Sequence, residues 1–242
     1  MKYLYLIAVL IAVVLFLLPI SLLTFWLPLR LRPRFFSPFW KAFGFFVLNG
    51  LGRMKIHSED HRSPEYKKIP LKGLYIANHL SLADIPLICT QVQIAPIMKK
   101  EVLYIPILGF CAWATGSINV DRKNQHSRIQ TYNKSTERLS LPLALQYYPE
   151  GTRSKNGSPK NYSEIKTRLM EYAYKENIAV IPMSLCNTEQ IFSRGAINTG
   201  LQLGIIVHQE VLPSDFHSEE SFMTYCWDKV ISGHENLKKN LI

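Results

Sequence analysis

Residues 73–84 read Gly-Leu-Tyr-Ile-Ala-Asn-His-Leu-Ser-Leu-Ala-Asp, an apolar run of strand length that breaks at Asn78 and leads into a second apolar run. Gly73–Ala77 predicts a buried strand, because it is short and bounded by glycine and polar residues, and Leu82–Thr90 predicts the helix after it. A strand feeding a helix across a short junction is the unit of α/β organisation. Working outward, Ile94–Met98, Ser117–Val120, Leu143–Tyr148, Ile178–Pro182 and Leu203–Val211 are further strand candidates. Between and after them, Gln125–Leu139, Tyr162–Lys175 and Ser218–Lys239 have the look of amphipathic helices. Glu101–Thr115 is apolar and helical in part, interrupted by Pro106 and Gly109, and Ser154–Asn161 is a loop rich in turn formers.

The pattern before Ile56 is different. Tyr3–Leu29 carries no charged residue and is almost continuously apolar. As one helix it would be about 40 Å long at ~1.5 Å per residue, against a hydrocarbon core about 30 Å thick. It can span with tilt or with a kink at Pro19, or it can enter the leaflet, turn near Pro19 and return, with Phe35–Leu51 lying along the surface. A cleaved signal peptide fits poorly, since the run is too long and no small-x-small cleavage site follows it. Arginines 30, 32 and 34 would put the carboxyl end of a span on the cytoplasmic side. The chain thus divides into a membrane-anchoring helical region, 1–55, and a folded domain, 56–242. The expected fold is α/β, a central mixed sheet flanked by helices and preceded by a membrane-embedded helical segment.

At 242 residues with 48% hydrophobic and 19% charged residues, the chain supports one large core and is not disordered. Its net charge of +10 is uneven, since no acidic residue precedes Glu59. The early cations are mixed with Trp26, Phe35, Phe36, Trp40, Phe43, Phe45 and Phe46, which suits a lipid headgroup boundary. No nucleic-acid motif accompanies them, so anionic lipid is the expected partner rather than nucleic acid. Cys89, Cys111, Cys186 and Cys226 are widely separated and read as small buried side chains. The histidines at 57, 61, 126, 208, 217 and 234 are scattered without ligand spacing, which predicts surface or loop positions and no metal site.

Chemistry concentrates at strand ends. His79 stands at a strand–helix junction, and Asp84, in the first turn of the next helix, is close enough in sequence to fold back onto the imidazole. A carboxylate on one ring nitrogen fixes the tautomer and leaves the other as a base. An aspartate in a first turn also complements the helix dipole, and spacing alone does not choose between the two. The segment Tyr148-Pro149-Glu150-Gly151-Thr152-Arg153-Ser154 again follows an apolar strand. There Gly151 permits close backbone approach, Arg153 offers a planar fork suited to phosphate, and Thr152 adds a hydroxyl. The bland alternative is a turn with a solvated arginine; a P-loop is excluded, because the Gly-Lys-Ser/Thr ending is missing. Arg122 supplies a second cation or pairs with Asp121, and Lys100 adds an ammonium at another strand end. Pro182 reads as an edge or strand-end proline.

The order NHLSLAD, KKE with IPILG, GSINVDR, YPEGTRS and IPM, over roughly Gly73 to Met183, resembles the glycerolipid acyltransferase family. Tyr148 stands where phenylalanine is usual, and Ile181-Pro182-Met183 replaces a more common Val-Pro-Val. The resemblance implies transfer of a fatty acyl group from a thioester, acyl-CoA or acyl carrier protein, to the free hydroxyl of a lysophospholipid, 1-acyl-glycerol-3-phosphate first. No cofactor or metal is implied. His79 would be the base oriented by Asp84, while Arg153, Arg122 and Lys100 would hold the phosphate. Amides near Gly151 would steady the oxyanion, and Glu150 would orient Arg153 or bind a hydroxyl. Two alternatives remain: another lysolipid acceptor, and a non-catalytic lipid-binding or membrane-shaping protein of the same fold. Oligomeric state is not legible.

Overall fold

The computed structural model describes Ile11 and residues 26–28, 31–93, 95–104, 109, 116–121, 123–141, 143–193 and 196–241. Most of Tyr3–Leu29, the segment expected in the membrane, and Arg122 therefore lie outside the described residues. Among those described, no helix is long and apolar enough to cross a membrane.

In chain order the elements are α1 (Arg32–Gly52), β1 (Lys55–Asp60), α2 (Pro64–Lys67), β2 (Leu74–Ala77), α3 (Asp84–Cys89), β3 (Ala95–Lys99) and β4 (Ile118–Val120). They continue with α4 (Gln125–Ser140), β5 (Leu145–Tyr147), α5 (Arg168–Lys175), β6 (Val180–Cys186), the small hairpin β7 (Phe192–Ser193) and β8 (Ala196–Ile197), then β9 (Gln202–Val207) and α6 (Glu219–Asn240). The main sheet runs β1-β9-β6-β2-β5-β3-β4. Its pairings are parallel except β6 with β9, so the sheet is mixed, as expected.

Strand alternation explains the two cores. Leu74 and Ile76 of β2 join Leu139 of α4, Met170 of α5 and Trp227 of α6 on one face. Tyr75 and Ala77 point the other way, to Leu48 of α1 and Leu87 of α3. A strand covered on both faces has no solvent side, so β2 reads as one unbroken apolar run. Gly44 lets α1 lie against α3, since a Cβ there would stand 2.5 Å from Pro86 O and 2.9 Å from Thr90 N.

Two expectations are corrected. Tyr162–Lys175 is not one helix: a 3-10 turn at Tyr162–Glu164 gives way to extended backbone at Ile165, and α5 starts only at Arg168. Pro182 lies inside β6, which is an interior strand. It is tolerated because the β9 ladder begins only at Met183↔Val207, so no donor is required at Pro182, while its carbonyl accepts His208 N at 2.9 Å. The sequence pattern also hid β1, an edge strand whose residues are mostly polar.

Candidate active site

β2 ends at the ladder pair Ala77↔Met183, and the Asn78 side chain takes over from the backbone. Its Nδ2 donates to Leu185 O at 2.9 Å, and Leu185 N donates to its Oδ1 at 2.8 Å. His79 is thereby presented at the rim of the sheet. Its amide donates to Glu150 Oε1 at 3.2 Å, and its carbonyl accepts Ser154 N at 2.7 Å. The two segments meet because β2 and β5 are adjacent and parallel, so the loops leaving them emerge side by side.

Asp84 is fully buried. Its Oδ2 accepts from His79 Nδ1 at 2.7 Å, Leu80 N at 2.7 Å and Ser81 N at 3.1 Å. Its Oδ1 accepts the hydroxyl of Thr188, another fully buried residue. A carboxylate can only accept, so His79 Nδ1 carries the proton and Nε2 keeps its lone pair. The imidazole stacks on Tyr148, ring centroids 4.0 Å apart and planes 16° from parallel. The Tyr148 hydroxyl is buried, without a partner at hydrogen-bonding geometry among the described residues, and burial, with Asp84 and Cys89 nearby, raises it well above the usual tyrosine range against the lowering effect of the Gln146 side chain.

Glu150 is 3% exposed, and its Oε2 has no hydrogen-bond partner among the described residues. Burial pushes its carboxyl up to about 7, against the lowering effects of the His79 amide and of Lys160. It holds His79's backbone rather than Arg153. Gly151 has φ +66°, and its amide donates to Tyr148 O at 3.0 Å, so that amide is already engaged. The close approach that Gly151 permits is made by Lys166, whose Nζ lies 2.8 Å from where a Cβ would be. Thr152 and Arg153 are exposed, and no side-chain hydrogen bond or ion pair engages either among the described residues. Lys100, just past the end of β3, has its Nζ 2.5 Å from Asp121 Oδ2, an ion pair that raises the lysine's pKa and lowers the aspartate's. Arg122 lies outside the described residues.

Sequence reasoning missed Asn78's part, Thr188, Lys166 and His234. His234 is not a surface histidine: it is 2% exposed in α6 and its Nδ1 donates to Leu185 O at 2.7 Å, on the carbonyl that Asn78 also binds. His208 is half-buried beside Ser184 at 2.8 Å, and burial pushes it down to about 4. Asn78 could have been read from its place beside His79; nothing local points to Thr188, 104 residues from its partner. Among the described residues no group of three or more His, Cys, Asp or Glu is arranged to hold a metal. Cys186 and Cys226 are buried and Cys89 partly so, each thiol raised by burial, Cys89 to about 12. These are not activated nucleophiles.

A family model described as Acyltransferase matches residues 55–186, more than half of the chain. The chain belongs to the Acyltransferase family. Among relatives, it is 30% identical to a 1-acyl-sn-glycerol-3-phosphate acyltransferase of Helicobacter pylori over 72% of this chain and 70% of that protein. It is 29% identical to the enzyme of that name from Haemophilus influenzae over 53% and 54%. The chain spans about half the length of several of these acyltransferases, 51% for the chloroplastic Arabidopsis thaliana protein. Its fold matches the crystal structure of the 1-acyl-sn-glycerophosphate (LPA) acyltransferase PlsC of Thermotoga maritima, with TM-score 0.77 and 25% identity over 98% of this chain and 95% of that one. This acyltransferase is therefore similar in sequence and in fold to enzymes named for acylating 1-acylglycerol 3-phosphate.

Proposed function

We propose that this acyltransferase moves a fatty acyl group from a thioester, acyl-CoA or acyl-acyl carrier protein, to the free hydroxyl of 1-acylglycerol 3-phosphate, giving phosphatidic acid. The observation that carries the reading is the His79–Asp84 hydrogen bond, 2.7 Å from Nδ1 to a buried carboxylate, which leaves Nε2 as the base. An alcohol is a weak nucleophile at neutral pH and needs its proton removed during attack. Nε2 takes that proton as the acceptor oxygen bonds to the thioester carbonyl, and Asp84 stabilises the imidazolium. Collapse of the tetrahedral intermediate breaks the carbon–sulfur bond, and the leaving thiolate takes the proton back from Nε2. The Thr152 and Arg153 amides receive the oxyanion, a role supported by their donating no hydrogen bond among the described residues. The Arg153 guanidinium receives the acceptor's phosphate.

The acceptor resides in a bilayer, and α1 supplies a way to reach it. Phe35, Phe45 and Phe46 are each more than a third exposed on α1. Because Gly44 seats α1 against α3, whose first residue is Asp84, an aromatic helix lying in the headgroup layer brings the base to the membrane surface. The catalytic domain then lies on the cytoplasmic side, with the apolar amino-terminal run in the membrane.

The test gives the purified full chain, in phospholipid micelles, acyl-CoA or acyl-acyl carrier protein and a panel of lysolipids, with products read by mass spectrometry. Phosphatidic acid from 1-acylglycerol 3-phosphate is expected. Product only from larger headgroups would reassign the acceptor, and no product from any pair would favour a lipid-binding role.

A further inference from the structure

We propose that Lys166 is a phosphate-binding, specificity-determining residue, whose ammonium favours a phosphate monoester headgroup over a diester. The inference rests on the acyl transfer proposed above and adds to it a residue outside every motif of the sequence. Its backbone is fixed on both sides to the end of β5: Lys166 N donates to Pro149 O at 2.9 Å, and its carbonyl accepts the Tyr147 hydroxyl at 2.7 Å. This contact is what interrupts the expected helix over Tyr162–Lys175, because extended backbone at Ile165 delivers Lys166 to the loop before α5 begins. The side chain then lies across Gly151, with Nζ, Cε and Cδ at 2.8, 3.1 and 3.5 Å from the position a Cβ would take. A glycine at 151 is thus needed twice, for its φ of +66° and for the path of this lysine.

The ammonium has no hydrogen bond or ion pair among the described residues. Nearby carboxylates have other partners: Glu164 accepts Asn161 N at 3.3 Å, Glu171 accepts the Thr167 hydroxyl, and Glu150 accepts His79 N. An exposed lysine laid across Gly151, its ammonium without a partner among the described residues, puts a cation beside the Glu150–Arg153 loop for an external anion. Lysine acts there as a point charge and arginine as a fork, so the two together suit a phosphate with two charges. A diester carries one charge and a bulky substituent where the second would be, and gains less from the lysine.

The experiment compares wild type with Lys166→Met and Lys166→Arg, with Lys134→Met on the exposed side of α4 as a charge control, all checked for folding by thermal melts. Lys166→Met is expected to raise the Michaelis constant for 1-acylglycerol 3-phosphate about 10- to 100-fold, with a smaller change for a lysophosphatidylglycerol acceptor and for the acyl donor. Lys166→Arg recovers part of the loss. If Lys166→Met does not fold, Lys166→Gln takes its place. A Michaelis constant within about twofold of wild type, or an equal loss on monoester and diester, overturns the proposal. Glycerol 3-phosphate serves as a probe independent of turnover, through broadening of its ³¹P resonance by the protein. Were wild type to acylate no acceptor, the transfer reading would fall, while broadening lost in Lys166→Met would still support the phosphate site and broadening retained would overturn it.

Discussion

Both oxygens of the Asp84 carboxylate have donors, four in all, whereas the neighbouring Glu150–Arg153 loop leaves one buried carboxylate oxygen, two backbone amides and the Arg153 guanidinium unengaged among the described residues, and Lys166 across Gly151 adds a second such cation. Both regions border the same histidine, so the difference is informative. Groups that must not reorganise during proton transfer are locked before substrate arrives. Groups that are to bind the acceptor are left without internal partners, at a cost in stability that the ligand removes. In the proposed reaction, the base is finished in the free protein and the cradle is completed by the acceptor.

The contrast can be broken from either side. The largest effect is expected from Asp84→Asn, where an amide donor facing Nδ1 favours the other tautomer and occupies the basic nitrogen. Steady-state kinetics should show kcat lower by about a hundred- to ten-thousand-fold, with the acceptor Michaelis constant changed far less. Thr188→Val removes the single donor on Oδ1 while keeping the shape, and should lower kcat about tenfold, with Thr188→Ser recovering most of it. An effect of Thr188→Val confined to melting temperature would make Thr188 a packing residue only.

On the open side, stability should depend on Glu150. Its carboxyl is raised from 4.5 to about 7, so the folded protein holds that proton more tightly than the unfolded chain does. Stability from this group is full below the unfolded value and is lost as pH rises through about 7. Between about pH 5 and about pH 8, wild type should lose on the order of 3 kcal/mol relative to Glu150→Gln, read from denaturant melts at each pH. The smallest effect is expected at Tyr148→Phe, which deletes a buried hydroxyl without a well-formed hydrogen bond among the described residues and keeps the stack on His79. A gain of up to about 1 kcal/mol in the same melts is expected, and a loss would mean that the hydroxyl has a partner.

The α/β order was legible because each strand buried on both faces is an apolar run, whereas only the family resemblance joined His79 to the Glu150 loop, which the parallel pairing of β2 and β5 brings to one rim. The edge strand β1 was not, since Lys55–Asp60 has few apolar residues to pattern. Pro182 was misplaced at an edge because its tolerance depends on where the ladder to β9 begins, which is a tertiary fact. Thr188 and Lys166 were missed for a related reason. One reaches its partner across 104 residues, and the other is placed by a break in a helix that periodicity runs straight through.

The most direct test of the account is the rate of acyl transfer to 1-acylglycerol 3-phosphate by wild type and by His79→Ala, measured by mass spectrometry of the product under saturating donor and acceptor. Phosphatidic acid is expected from wild type, and a rate lower by about a hundred- to ten-thousand-fold from the folded variant. Equal rates would contradict it, because the oriented Nε2 would then have no part in the chemistry.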